Sequence, residues 1–198
     1  MRAILIIVAL MVAGASQAEV EVGKPAPTFK EKDQSGKDRQ LSDFKGNLVV
    51  LEWYNEGCPY VKKHYGSGNM QKLQKKYTDK GVKWLSVATS SQGRQGYVDP
   101  MTAATHMKTA GMNSSALLLD SDGTMGRTYG AKTTPHMFVI NPKGTVIYAG
   151  AIDSNNSADP DTIPKATNFV AEALDLAMSG KPVKVASSKP YGCSVKYR

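Results

Sequence analysis

The chain has 198 residues, and its 25 Lys and Arg outnumber its 17 Asp and Glu to give a net charge of +8. This length suits one domain with a full hydrophobic core, and the 2 cysteines are too few to form a disulfide framework. The lysines are scattered rather than clustered, so the charge indicates a solvated surface and argues against a nucleic-acid partner.

The segment Met1–Ala18 has the features of a secretory signal. Arg2 precedes an apolar stretch over residues 3–14, and Ser16 and Ala18 are small residues of the kind that a signal peptidase recognises. The apolar stretch is too short to span a membrane. We therefore expect a periplasmic or otherwise exported protein with no stable membrane insertion after removal of the signal. A retained signal anchor is the alternative.

Hydrophobic patterns after the signal predict one domain over residues 19–180, followed by a tail over residues 181–198. The nearly unbroken apolar run Leu48–Tyr54 is typical of a strand that is buried on both faces of a sheet. A helix is expected from Pro59, because proline is favoured at the first helical position. The further predicted elements are a hairpin within 19–46, strands at Val82–Thr89, Ala116–Leu119, His136–Ile140 and Thr145–Ala149, and helices at Met101–Ala110, Met125–Tyr129, Ile163–Met178 and after a capping Asn69.

Cys58 stands at the junction between the first buried strand and the helix from Pro59. Backbone N–H groups and the helix dipole favour negative charge at such a position, which lowers a thiol pKa and yields the reactive thiolate. Lys62 or Lys63 is expected to add to this effect. We expect the ionised sulfur at the mouth of the scaffold; the alternative is a buried, inert thiol.

Several motifs in a fixed order resemble the peroxiredoxin-like redoxins of the thioredoxin superfamily, which are related to alkyl hydroperoxide reductase and thiol-specific antioxidant proteins. The resemblance implies an α/β, thioredoxin-like fold with a central mixed β-sheet flanked by helices over residues 19–180. It also implies thiol-dependent oxidoreductase or antioxidant activity that needs no cofactor and no metal. The matching segments are Gly57–Tyr65, Leu118–Gly123, Tyr129–Phe138, Gly180–Pro182 and Tyr191–Tyr197.

The sequence departs from the family pattern at positions that bear on the substrate. Val61 stands where thioredoxins have a second cysteine, so a disulfide within the active-site loop is impossible. Leu51 and Asn55 replace the proline and threonine that precede the cysteine in peroxiredoxins. After Arg127 the only arginine is Arg198, so the downstream arginine that holds peroxide oxygens is absent or comes from elsewhere. These differences argue against fast peroxide reduction.

The resemblance also implies roles for other residues. Cys193, in the tail, is expected to resolve an intermediate on Cys58; a static disulfide between the two, or pairing between chains, remains open. Glu52 is the candidate proton shuttle, since an acid occupies the matching position in thioredoxins. Its alternatives are an acid in a solvated cleft or one paired with a lysine.

The Thr134–Pro135 bond is expected to be cis and to lie against Cys58, where the backbone beside the proline pairs with the substrate. Asn55 is a candidate hydrogen-bond donor near the sulfur, and Tyr60 a candidate wall of an apolar substrate groove.

A copper-binding alternative would use Cys58 with His64, His106 and His136. The second closely spaced cysteine of such chaperones is missing, so no metal is expected.

Three functions therefore remain from the sequence. The first is an exported thiol-disulfide oxidoreductase or antioxidant redoxin that uses Cys58 as its nucleophile and needs a thiol reductase as partner. The second is a thiol peroxidase that reduces hydroperoxides. The third is a non-catalytic binding module on a thioredoxin fold.

Overall fold

The computed structural model describes residues 20–197 of the protein. The predicted signal, Met1–Ala18, lies outside the described residues, and so does Arg198. Within residues 20–197, no helix is both long enough and apolar enough to span a membrane.

The core strands and helices follow one another along the described chain in the order that the sequence predicts. In chain order, the elements are β1 (Lys30–Lys32), β2 (Asp38–Gln40), β3 (Val49–Trp53), α1 (Pro59–Gly66), α2 (Asn69–Thr78), β4 (Lys83–Thr89), α3 (Pro100–Thr109), β5 (Ala116–Asp120), α4 (Thr124–Tyr129), β6 (Thr133–Thr134), β7 (Met137–Ile140), β8 (Val146–Gly150), α5 (Phe169–Met178) and β9 (Cys193–Ser194), with short 3-10 helices at Leu41–Phe44 and Pro160–Lys165.

The central sheet has five strands in the order β5-β4-β3-β7-β8. β3 pairs in parallel with β4, which pairs in parallel with β5, whereas β7 runs antiparallel to both β3 and β8. β3 lies in the middle, and all five of its residues are buried, which accounts for its apolar run. The predicted mixed sheet with flanking helices is confirmed. β1 and β2 form the expected N-terminal hairpin.

Alternate residues of β3 point to opposite sides of the sheet and join two separate hydrophobic cores. Val50 belongs to the core that includes residues of α1, α2, α3 and α5. Val49, Leu51 and Trp53 belong to the core on the other side, with residues of α4 and the N-terminal segment. Glu52 lies two residues after Val50 on β3, so its side chain points to the same side of the sheet, which α1 and α2 cover.

Two predicted helix starts are wrong. The expected helix Ile163–Met178 is divided, because residues 160–165 form a 3-10 helix around Pro164 and α5 begins only at Phe169. The Asn168 side chain accepts a hydrogen bond from the Ala171 N–H at 2.8 Å and so fixes this later start.

At the start of α2, the N-cap is Gly68 in the left-handed region, with φ of +73°, and not Asn69. Asn69 is already helical, and its side-chain amide lies 2.9 Å from Nδ1 of His64 instead.

The C-terminal tail is an integral part of the fold, although its sequence shows no periodicity. β9 pairs antiparallel with β6 and places Cys193 opposite Thr134. Beyond β9, the Val195 N–H donates to the Lys132 carbonyl at 3.1 Å, and the Tyr197 hydroxyl donates to the Ala131 carbonyl at 2.8 Å. The tail therefore packs along residues 131–134, the segment that precedes β7.

Gly192 makes this close approach possible, and its replacement provides a test. Its φ is +136°, and a Cβ atom at this position would lie 2.1 Å from the Thr134 carbonyl oxygen. We expect Gly192→Ala to destabilise the protein by about 1–3 kcal/mol in urea unfolding, and to speed hydrogen exchange of the Val195 N–H.

The matched control is Gly180→Ala, which also has positive φ, at +68°, but no atom within 4 Å of the added Cβ. Equal losses of stability in the two variants, with unchanged exchange at Val195, would show that the contact with Thr134 does not hold the tail.

Candidate functional site

Cys58 is the N-cap of α1, at the end of the loop that follows β3. Its N–H donates to the Asn55 carbonyl at 3.0 Å, and its own carbonyl accepts the first helical bond from Lys62 at 2.9 Å. Its thiol donates to the Thr134 carbonyl at 3.0 Å. The Thr134–Pro135 bond is cis, as predicted. The structure therefore brings the sulfur against the segment that the sequence indicates.

The sulfur does not lie open at a mouth of the scaffold, which corrects the sequence-based expectation. Cys58 has no exposed surface, whereas Cys193 is half-buried. The cover next to Cys58 is β9 of the chain's own tail, which pairs with Thr134. Cys58 thus belongs to the buried hydrophobic cluster on the α1 side of the sheet, and Tyr191 and Cys193 of the tail pack against that cluster.

Cys58 and Cys193 are neighbouring thiols with unlike pKa values. Burial alone would raise the pKa of Cys58, but the neighbouring Cys193 and Thr134 side chains, together with the nearby N–H groups of Val61 and Cys193, lower it below its ordinary value. Burial and the neighbouring Cys58 raise the pKa of Cys193 to about 11. The geometry therefore favours a thiolate on Cys58 and a protonated thiol on Cys193.

The lysines that follow Cys58 do not supply this stabilisation, contrary to the sequence-based expectation. Lys62 is exposed to solvent. The Lys63 ammonium donates to the Asn155 carbonyl at 3.0 Å and lies 3.7 Å from the Asp153 carboxylate. Hydrogen-bond donors around the sulfur, rather than lysine charges, are what lower the Cys58 pKa.

Glu52 is completely buried and accepts hydrogen bonds from four side chains. The bonds with Trp84 Nε1 at 2.7 Å and Tyr65 Oη at 2.8 Å are the shortest, and Gln74 and Ser86 donate at 3.0 and 3.4 Å. Burial raises its pKa, and these bonds oppose the rise. Glu52 is therefore neither in a solvated cleft nor paired with a lysine, and its role as a proton shuttle stays a prediction.

Asn55 and Tyr60 both lie near Cys58 but make other contacts than the sequence suggests. Asn55 is buried, and its amide donates to the Gln95 carbonyl at 3.3 Å while its Oδ1 accepts the Gly57 N–H at 2.9 Å. It therefore joins the Cys58 loop to the loop after β4. The ring of Tyr60 lies 5.7 Å from that of Tyr191, so it contacts the tail rather than an open groove.

Sequence reasoning missed a buried cluster on the tail side of α1. It consists of Lys63, His64, Asp153 and Tyr191, and the Tyr191 hydroxyl donates to Asp153 at 2.6 Å. The available signal was the Lys63-His64 pair, which lies in the last turn of α1. The partner residues come from distant parts of the chain, so the spacing of residues does not indicate this cluster.

The three histidines are separated in the structure. His64 belongs to the buried cluster, where burial lowers its pKa to about 4; the charge of Asp153 opposes this shift and that of Lys63 adds to it. His106 lies 2.8 Å from Glu56, and the His136 ring lies 4.5 Å from that of Phe138. Among residues 20–197, no group of three or more His, Cys, Asp or Glu side chains is placed to hold a metal ion.

A thioredoxin-like fold with two neighbouring thiols beside a cis-proline segment defines a thiol-dependent oxidoreductase of the thioredoxin superfamily. Residues 22–149 match the sequence model of the AhpC/TSA family. This match covers more than half of the 198 residues, and the chain belongs to that family. The expected redoxin is thus confirmed, while Cys193 lies beyond the matched residues.

Individual relatives agree with this assignment. The thiol-disulfide oxidoreductase ResA of Bacillus subtilis (strain 168) is 29% identical over 133 residues, which are 67% of this chain and 69% of ResA. An uncharacterized conserved protein from Geobacillus kaustophilus has a TM-score of 0.76 at 24% identity, covering 90% of this chain and 93% of its own. A hypothetical protein from Sinorhizobium meliloti 1021 has a TM-score of 0.77 at 18% identity, covering 91% and 97%. These two structures support the fold.

The influence of Cys193 on the Cys58 pKa predicts a difference between two variants. Cys193→Ser keeps a hydrogen-bond donor beside the Cys58 sulfur, whereas Cys193→Ala removes it. Because a hydrogen bond to a charged group is strong, we expect the Cys58 pKa to be higher in the Ala variant than in the Ser variant. The measurement is the ultraviolet absorbance of the thiolate against pH, since Cys58 is the one cysteine left in both variants. Identical titration curves in the two variants would contradict this role of Cys193.

The raised pKa of Glu52 predicts a pH dependence of stability. Above the ordinary value of 4.5, the folded state retains a proton that the unfolded chain loses, so rising pH destabilises the folded state until the folded pKa is passed. Glu52→Gln removes this loss. We expect the stability of the variant relative to wild type to rise by up to about 1.4 kcal/mol for each pH unit in this window.

Urea unfolding at a series of pH values from about 4 to 7 measures this slope. Glu21→Gln, at an exposed position, is the control, and its stability relative to wild type should stay constant over this pH range. If the relative stability of Glu52→Gln also stays constant with pH, the folded protein does not hold the Glu52 proton.

Proposed function

We propose that the protein is an exported thiol-disulfide oxidoreductase in which Cys58 attacks the substrate disulfide and Cys193 resolves the intermediate. The observation that carries this proposal is the placement of the two thiols on either side of Thr134, with the pKa of Cys58 lowered and that of Cys193 raised. Cys58 is thereby available as the attacking thiolate, whereas Cys193 stays protonated until it attacks the mixed disulfide. ResA, whose name states the same activity, supports the assignment.

In the first step, the Cys58 thiolate attacks one sulfur of a substrate disulfide, R–S–S–R′. A bond forms between Cys58 and the RS group, the S–S bond of the substrate breaks, and R′S⁻ leaves with the electron pair and takes up a proton from solvent. Lowering the pKa of Cys58 raises the fraction of thiolate available for this attack.

In the second step, Cys193 loses its proton and attacks the Cys58 sulfur of the mixed disulfide. The Cys58–Cys193 disulfide forms and RS⁻ leaves, which takes up the proton that Cys193 gave up. The substrate has then gained two electrons and the protein has lost two. A separate thiol reductase returns them by attacking the Cys58–Cys193 disulfide, and the same steps in reverse oxidise a dithiol substrate.

Other residues of the site assist these steps. The Thr134–Pro135 segment contacts the sulfur through the Thr134 carbonyl and positions the substrate beside it. Glu52 moves protons on the α1 and α2 side of the sheet, through its bond to Tyr65. Asn55 and Tyr60 hold the Cys58 loop and the neighbouring tail segment in place.

The experiment compares cysteine variants in reaction with an oxidised peptide disulfide, followed by mass spectrometry. We expect Cys58→Ser to abolish exchange, and Cys193→Ser to accumulate a mixed disulfide between Cys58 and the peptide. Ser194→Ala, in the same strand, is the matched control and should turn over normally. Exchange that continues in Cys58→Ser would rule out Cys58 as the nucleophile.

Hydroperoxide reduction, which the family name also suggests, is tested on the same variants. Stoichiometric hydroperoxide is added to Cys193→Ser, and sulfenic acid on Cys58 is trapped and quantified. Because the sequence lacks the family proline and threonine before Cys58, we expect disulfides to react faster than hydroperoxide. The reverse order would make the protein a thiol peroxidase.

A further inference from the structure

Tyr191, two residues before Cys193, holds the strand that carries Cys193 against the rest of the protein. The Tyr191 hydroxyl donates to Oδ1 of Asp153 at 2.6 Å, and Nε2 of His64 lies 3.3 Å from the same hydroxyl. The Tyr191 ring contacts that of Tyr60, with 5.7 Å between centroids, and lies 5.6 Å from Nζ of Lys63. Tyr191 is thus joined to the body of the protein by one short polar bond and by ring contacts.

The acceptor of this bond is a carboxylate that is almost inaccessible to solvent. Asp153 is 3% exposed, and the Lys63 side chain, whose ammonium lies 3.7 Å from Asp153 Oδ2, is 0% exposed. A buried carboxylate needs both a countercharge and hydrogen-bond donors. The described donors to Asp153 are the Asn155 N–H at 2.9 Å and the Tyr191 hydroxyl. Loss of the hydroxyl bond therefore leaves the buried carboxylate poorly satisfied.

His64 supports the same contact in its neutral form. Its Nδ1 accepts a hydrogen bond from the Asn69 side-chain amide at 2.9 Å, which leaves the proton on Nε2, facing Tyr191. Burial lowers the His64 pKa to about 4, so the ring is uncharged near neutral pH. Around Tyr191, the charges that face its hydroxyl are therefore those of Asp153 and Lys63.

These contacts join the tail to the helix that carries the nucleophile. Lys63 and His64 belong to α1, whose N-cap is Cys58. A single residue, Gly192, separates Tyr191 from Cys193, and the Thr134 carbonyl leaves no room for a side chain there. The connection is short and constrained, so the position of the Tyr191 hydroxyl determines where Cys193 lies relative to Cys58.

We propose that Tyr191 is a positioning residue whose hydrogen bond to Asp153 holds the Cys193 strand over Cys58. Cys58 has no exposed surface in the closed form, and Tyr191 and Cys193 pack against the buried cluster that contains it, so a reagent reaches its sulfur when this strand opens. Breaking the bond admits a disulfide substrate, and remaking it returns Cys193 to the Cys58 sulfur. That the entering molecule is a disulfide rests on the proposed function, whereas the opening of the Cys193 strand does not.

The test is the alkylation rate of Cys58 in the reduced full chain, with iodoacetamide at about pH 8 and peptide mapping to separate Cys58 from Cys193. Tyr191→Phe keeps the ring and removes only the hydroxyl. Because a hydrogen bond to a charged group shifts an equilibrium by roughly tenfold or more, we expect Cys58 to be alkylated about tenfold faster in this variant.

The matched control is Tyr77→Phe. It also removes a tyrosine hydroxyl that donates to a carboxylate, at 2.9 Å from Asp175, but between α2 and α5 and away from the tail. A purely structural role for Tyr191 would give the two variants equal losses in urea stability and equal, small changes in Cys58 alkylation. That result would overturn the proposal, whereas acceleration confined to Tyr191→Phe supports it.

A second measurement on the wild-type protein does not depend on how well the variant folds. Hydrogen exchange of the backbone N–H groups in residues 191–195 should report an opening that occurs more often than the opening of β3. Exchange of the tail only through global unfolding would contradict the proposal. Because both measurements are made without substrate, a failure of disulfide exchange leaves their outcome unaffected, and the two hypotheses are tested separately.

Discussion

The proximity of Cys193 to Cys58, beside Thr134, is the interaction on which the site depends. Burial of Cys58 by itself would favour the neutral thiol, which is a poor nucleophile. The neighbouring Cys193 and Thr134 side chains lower the Cys58 pKa, and the start of α1 adds the dipoles of its free N–H groups. The same proximity raises the pKa of Cys193. One contact therefore makes two chemically identical residues unlike.

This arrangement resolves a conflict between reactivity and protection. A thiolate that is stabilised by donors inside the protein is shielded from oxidants, but it also cannot reach a disulfide. The tail packs against the buried Cys58 cluster through Tyr191 and Cys193, and the strand that carries Cys193 is held by β6 on one side and by Tyr191 on the other. Short elements with few contacts open at low free energy. The family match ends at residue 149, so the covering strand lies outside the matched part of the chain.

Local patterns in the sequence identified most of the fold. The apolar run of β3 and the proline that opens α1 depend on neighbouring residues only, and the structure places both as expected. The start of α5 was missed because Pro164 and the capping Asn168 interrupt a helical pattern that hydrophobic spacing alone continues. Asn69 was assigned as a cap because it suits that position, but Gly68 in the left-handed conformation occupies it. These errors concern boundaries, where a single side-chain bond decides the outcome.

The periodicity of the sequence by itself indicated an α/β fold with a mixed sheet, and its contiguous motifs indicated the thioredoxin-like class, the place of Cys58 at a helix start and the segment that contacts it. The tertiary structure alone decided that Cys58 lies beneath the tail, that Glu52 is enclosed by four donors, and that Lys63 pairs with Asp153 rather than activating the sulfur. Those facts depend on residues far apart in the chain. Burial and pKa are set by whichever groups the folded backbone brings together, and no local pattern encodes that proximity.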